Sequence, residues 1–197
     1  MKKHLKSMDH EHTGVLAIDW EDVGRICRRL AEEVEKTLHP EVIVGIAKGG
    51  AIPGAIIASM LRRDFFPIRI TRRQDDIVTR RHPALIGRIP SEVVKGRRVL
   101  VVDDMAGTGE TLRVAVDECW AQGATEVKTA TLYRHSSSIT PDWVGLETDD
   151  LVVQPWDAVI YSGGRWRVNQ EYEEELARIG VSAADVLVAS LLGPKRA

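Results

Sequence analysis

Only two cysteines occur among the 197 residues. Cys27 and Cys119 stand far apart in helical patterns, with no histidine or second cysteine at metal-ligand spacing, which excludes a disulfide framework and leaves them as reduced helix residues. Neither sign of charge dominates. The formal net charge is −2, so no global field draws the chain to nucleic acid, and nucleic-acid binding is not implied. No apolar run is long enough to span a bilayer, and the opening Met1-Lys2-Lys3-His4 lacks the apolar region of a secretory signal. A cytoplasmic protein with no membrane partner is therefore expected. No internal repeat or interdomain linker interrupts the chain. What remains, 44% hydrophobic and 28% charged residues over this length, suits one α/β domain with a full core, assigned to 1–197.

Asp19 can cap a helix over Trp20 to Thr37, with Asp22 placed to complete a capping box and Ile26, Leu30 and Val34 on one face. Pro40 ends that helix, and Val42 to Ala47 forms a buried strand followed by Lys48-Gly49-Gly50 and a helix over Ala51 to Arg62. Phe66 to Arg73 is expected as another strand. Gln74 to Lys95 is long, polar and without clear periodicity, a pattern that in a compact domain points to a functional lid. Arg72, Arg73, Arg80, Arg81, Arg88, Lys95, Arg97 and Arg98 make this region cationic, open to two readings: a solvated loop, or arginines that meet phosphate oxygens on closure. No aromatic is interleaved with them to support RNA binding. Val127 to Tyr133 and Leu151 to Val153 are further strands, and Asn169 to Ile179 and Ala183 to Leu192 are expected as C-terminal helices. His4, His10 and His12 read as part of a polar N-terminal segment over 1–18.

The stretch Val99-Leu100-Val101-Val102-Asp103-Asp104-Met105-Ala106-Gly107-Thr108-Gly109-Glu110-Thr111-Leu112 carries the most chemistry. Its β-branched apolar start lacks alternation, as a strand buried on both faces of a parallel sheet does. Asp103 and Asp104 then fall at the strand's carboxyl end, where open α/β sheets bind ligands. Gly107 and Gly109 allow close approach of backbone to ligand, and Thr108 and Thr111 add hydroxyl donors near a helix N-terminus. One phosphate fits there. Two adjacent carboxylates repel it and so face another part of the ligand, most simply a pair of ribose hydroxyls, which makes the ligand a sugar phosphate. Lys48-Gly49-Gly50, a cation and glycines at another strand end, suits a pyrophosphate.

The order of apolar strand, two acids, short variable loop and Thr-Gly-x-Thr resembles the phosphoribosyl pyrophosphate (PRPP) signature of the type I phosphoribosyltransferases. The resemblance covers about Trp20 to Asp157. It implies a twisted, mostly parallel sheet flanked by helices, a small hood (134–168) and a C-terminal helical extension (169–197). It implies PRPP and a nucleobase as ligands, Mg2+ as cofactor, and a homodimer or homotetramer. PRPP would be bound by Lys48, Gly49, Gly50, Asp103, Asp104, Met105, Ala106, Gly107, Thr108, Gly109, Glu110 and Thr111, with Asp103, Asp104 and Lys48 catalytic. Displacing pyrophosphate from the anomeric carbon builds positive charge on the ribose, so Lys48 and magnesium would neutralise the leaving group while the two acids hold the sugar in line.

Gln154-Pro155-Trp156-Asp157 is similar to the segment closing the base pocket in the 6-oxopurine group of bacteria and archaea. That similarity implies Asp157 as a magnesium ligand, backbone groups at Val152 against the base edge, and Arg134 or His135 in place of a lysine that donates to the exocyclic oxygen. Purine enzymes of the group carry an aspartate where this chain has Gly107, and stack a ring on the base where it has Leu151. A 6-oxopurine is the expected acceptor. Transfer to a different nitrogen acceptor, and a regulator that binds PRPP or nucleotide without turnover, stay as alternatives.

Overall fold

The computed structural model describes residues 12–74, 77–78 and 80–182. In chain order its elements are β1 (Val15–Ala17), α1 (Trp20–Thr37), β2 (Val42–Ala47), α2 (Ala51–Leu61), β3 (Asp64–Thr71), the short pair β4 (Arg73–Gln74) and β5 (Ile77–Val78), β6 (Ala84–Ile86) and α3 (Ser91–Val94). There follow β7 (Arg98–Ala106), α4 (Glu110–Ala121), β8 (Glu126–Arg134), β9 (Trp143–Glu147), β10 (Leu151–Val153), the hairpin β11 (Val159–Ser162) and β12 (Arg165–Val168), and α5 (Gln170–Arg178). They fall into two compact units, one of residues 24–148 and one of residues 12–23 with 149–182.

The larger unit is built on a six-stranded sheet in the order β6-β3-β2-β7-β8-β9, parallel except for β6. The continuous apolar runs of β2 and β7 take its centre, where both faces are covered, and Val42, Ile43, Val44, Val99, Leu100, Val101 and Val102 are wholly buried. From β2 the chain moves outward to β3, and from β7 it moves the other way to β8. The carboxyl ends of β2 and β7 therefore border the topological switch point, the crevice where sheets of this kind take ligands.

Helix α1 begins as its sequence dictates: the Asp22 N–H donates to Asp19 Oδ1 (2.7 Å) and the Asp19 N–H to Asp22 Oδ2 (3.3 Å). Its buried stripe runs Val23, Cys27, Leu30, Val34, with Ile26 at the margin beneath Gly145, where any Cβ would stand 2.3 Å from Ile26 Cγ2.

Several expectations are corrected. β3 starts at Asp64, where its ladder with β2 opens opposite Val42, and stops at Thr71. Within 80–95, part of the expected lid, β6 closes one sheet edge against β3 (Ile70 opposite Leu85), and Ile89 and Val94 lie in the core. Arg97 and Arg98 are structural, Arg97 bonding Asp64 (2.7 Å) and Arg98 Nε the carbonyls of Leu38 and His39 (3.1 and 3.0 Å). Trp143–Glu147 of the expected hood joins the main sheet instead, parallel to β8.

In the smaller unit β1 pairs in parallel with β10, Leu16 opposite Val152, and Val153 and Ala158 form a small core with Val15, Leu151, Val168 and Tyr172. Helix α5 is capped by Asn169, whose side chain accepts from the Glu171 N–H. The second expected C-terminal helix, Ala183 to Leu192, and His4 and His10 lie outside the described residues.

Candidate functional site

The loop after β2 and the acid pair of β7 meet at the switch point. The peptide joining Ala47 to Lys48 is cis. The chain then passes so close to β7 that a Cβ on Gly49 would stand 2.0 Å from Asp104 Oδ2, and one on Gly50 would stand 2.5 Å from Asp103 Cα and from the Val102 carbonyl oxygen. Glycine is required at both positions by contact rather than by φ, which at Gly50 is −69°.

Asp103 and Asp104 lie within β7, not beyond it. β7 continues to Ala106 because β8 runs alongside, with Met105 opposite Tyr133 and Ala106 opposite Arg134. Asp103 is buried and Asp104 half-buried. The Asp104 N–H donates to Asp103 Oδ1 (3.1 Å) and the Met105 N–H to Asp104 Oδ1 (2.8 Å). Burial holds the Asp103 carboxyl well above the ordinary carboxylate range and the charge of Asp104 pushes it further. Burial raises Asp104 as well, against the pull of the Met105 N–H, and a hydrogen bond between the two side chains favours the proton on Asp103. Magnesium takes hard oxygen ligands, commonly one or two carboxylates completed by phosphate oxygens. Asp157, the residue expected to hold the ion, is a donor of that class.

Past Ala106, Gly107 and Thr108 are exposed and Gly109 turns the chain at φ +75° into α4. No side chain caps this helix, and the Glu110 N–H reaches Thr108 Oγ1 only at 3.5 Å. The opening amides and the positive end of the helix dipole suit an anion. Glu110 puts an acid in the first turn of α4, and His82 Nδ1 contacts its Oε1 at 3.1 Å. The periodicity of 74–95 carried no sign of this contact.

The residues expected at the nucleobase divide between the two units. In the larger unit Arg134 is committed to protein partners: Nε and Nη2 donate to Glu147 (2.9 and 2.6 Å) and Nη1 to the Ser138 carbonyl and Thr140 Oγ1 (3.2 and 3.0 Å). His135 is buried, with Nδ1 2.9 Å from the Thr148 carbonyl oxygen, so that nitrogen carries a proton. In the smaller unit Leu151 is half-buried and Val152 buried on β10. There Asp157 Oδ1 accepts from the Tyr172 hydroxyl (2.8 Å), which in turn accepts from the Gln154 N–H (3.3 Å). The Asp157 carbonyl accepts from Asn169 Nδ2 (3.1 Å). Sequence patterning does not reveal this clamp from α5.

The model described as the phosphoribosyl transferase domain matches residues 18–161. An orotate phosphoribosyltransferase of Parvibaculum lavamentivorans is 31% identical over 115 residues, 57% of this chain and 54% of that protein. The bifunctional protein PyrR of Streptomyces coelicolor is 28% identical over 124 residues, 57% of this chain and 63% of that one. The chain thus spans between about half and just under two-thirds of the length of these curated relatives. The crystal structure of a purine phosphoribosyltransferase from Pyrococcus horikoshii superposes with a TM-score of 0.63 at 28% identity, covering 73% of this chain and 94% of that chain. With the match spanning most of its length and the signature acids and glycines brought together beside the central strands β2 and β7, the chain belongs to the phosphoribosyl transferase domain family.

Proposed function

We propose that the protein transfers the 5-phosphoribosyl group of PRPP to a ring nitrogen of a nucleobase, releasing pyrophosphate, and that the base is a 6-oxopurine. The observation that carries the reading is the approach of the Lys48-Gly49-Gly50 loop onto the Asp103–Asp104 pair, which sets a pyrophosphate cradle beside a ribose cradle. The bond from the anomeric carbon to pyrophosphate breaks as the bond to nitrogen forms, and the ribose becomes cationic between them. Asp103 and Asp104 accept the ribose hydroxyls and, once ionised, favour that cation. The amides opening α4 take the 5-phosphate, and Lys48 meets the leaving pyrophosphate. Magnesium, when bound, adds charge neutralisation on the pyrophosphate side. The purine choice draws on the Pyrococcus horikoshii purine enzyme and on the Gln154-Pro155-Trp156-Asp157 segment.

A second reading, transfer to another nitrogen acceptor, is favoured by the commitment of Arg134 to Glu147 and by Leu151, which offers no ring to stack. The test is incubation with PRPP, magnesium and separate bases (hypoxanthine, guanine, xanthine, adenine, uracil, orotate), reading pyrophosphate release and product mass. Turnover of an oxopurine, lost in Asp104→Asn with folding retained, is the expected result. Turnover of a different base selects the second reading. PRPP binding without turnover of any base overturns both in favour of a sensor.

A further inference from the structure

β7 and β8 run in parallel with Asp103 opposite Thr131. Register neighbours on parallel strands present their side chains on the same face, about 4.8 Å apart along the hydrogen-bonding direction. Thr131 is completely buried, and its Oγ1 has no hydrogen-bond partner among the described residues. Two residues earlier on the same face, Thr129 Oγ1 bonds Asp142 Oδ2 at 2.8 Å. Thr131 Oγ1 has no such partner among the described residues. A buried hydroxyl left without a partner is costly. A valine would keep the β-branched shape and fill the same space without that cost, so neither strand formation nor packing calls for the oxygen.

What lies opposite supplies a reason. Asp103 Oδ1 accepts from the Asp104 N–H, and an ionised carboxylate has lone pairs for several further donors. In the functional reading above, on which this inference rests, Asp103 must hold one orientation to accept from ribose. We propose that Thr131 is a positioning residue for Asp103: in the liganded site its hydroxyl donates to the Asp103 carboxylate, fixing that carboxylate toward the ribose. The step transfers no proton from Thr131. It exchanges an unbonded hydroxyl for a charge-assisted hydrogen bond, which strengthens PRPP binding.

The experiment compares wild type, Thr131→Val and Thr131→Ser by calorimetric titration with PRPP in magnesium buffer and by thermal denaturation. Thr131→Val is expected to keep or raise Tm while weakening PRPP binding about tenfold or more, the range for loss of a hydrogen bond to a charged group. Thr131→Ser, which restores the hydroxyl alone, is expected within about twofold of wild type on the same hydrogen-bond argument. Wild-type affinity in Thr131→Val overturns the inference and leaves the functional reading intact. Equal weakness in Val and Ser variants also overturns it, since the methyl group would then be what matters. Wild type that fails to bind PRPP at all overturns the functional reading and this inference with it. Should Thr131→Val not fold, Thr131→Ala against Thr131→Ser reads the same difference.

Discussion

Replacing Gly49 by alanine tests whether the contact between the two loops makes the site. Gly49 is not among the residues with positive φ, so the added methyl meets no backbone prohibition and its effect is purely one of contact. The new Cβ would lie 2.0 Å from Asp104 Oδ2 and 2.4 Å from Asp104 Cγ, and ordinary contact begins near 3.4 Å, so the carboxylate must retreat by about 1.4 Å. That movement breaks the 2.8 Å bond from the Met105 N–H to Asp104 Oδ1, a loss of about 1–3 kcal/mol in stability. Misplacing a positioned group by about 1 Å costs on the order of 100-fold in rate. Gly49→Ala is therefore expected to fold, to lose a few degrees of Tm, and to fall about 100-fold in kcat/KM for PRPP. Gly50→Ala makes the control. Its Cβ would lie 2.5 Å from Asp103 Cα and from the Val102 carbonyl oxygen, backbone atoms in the middle of the sheet that cannot swing aside, so it is expected to cost about 3 kcal/mol or more and to lower the yield of folded protein. Both variants are read by thermal denaturation, PRPP titration and pyrophosphate release. A folded Gly49→Ala with wild-type PRPP affinity and turnover would refute the reasoning.

Because burial raises Asp103, its protonated form is the one the fold favours. That contribution is complete below the ordinary carboxylate pKa and is lost as pH rises through the raised value. Asp103→Asn is expected to have a higher Tm than wild type at pH 7–8, with the gain shrinking toward pH 4, while abolishing turnover; a lower Tm at pH 8 contradicts it. Ile89→Ala, in a stretch whose composition suggests a mobile lid, is expected to cost about 2–5 kcal/mol in denaturant unfolding because Ile89 is 1% exposed in the core. A neutral result would return that stretch to a lid. Burial pushes the Cys27 and Cys119 thiols up to about 12, so neither is expected to react with an alkylating reagent at pH 8 until the protein unfolds, as mass spectrometry would read. Phenylalanine at Tyr172 removes the bonds to Asp157 and Gln154, and is expected to lower stability by about 1–2 kcal/mol in the same unfolding assay.

Local interactions made much of the molecule legible in the chain. The span of α1 follows from Asp19 and Asp22 bonding each other's backbone amides, an interaction between neighbours that needs no tertiary help. β2 and β7 are recognisable because only a doubly covered strand tolerates Val42-Ile43-Val44 or Val99-Leu100-Val101-Val102 without alternation. The acids, threonines and glycines proposed to face the ligand are readable for the same reason, since they follow those strands within a few residues. Tertiary structure alone decided the partners. That 84–86 closes a sheet edge, that Trp143–Glu147 joins the main sheet, that Arg134 is spent on Glu147 and that Tyr172 bonds Asp157 depend on pairings between segments distant in sequence, which no local periodicity encodes. The same holds for register. Asp103 lies opposite Thr131, and Gly49 lies against Asp104, only because β2, β7 and β8 align as they do, so the chain itself names the chemistry while the sheet alignment determines which groups can act on one another.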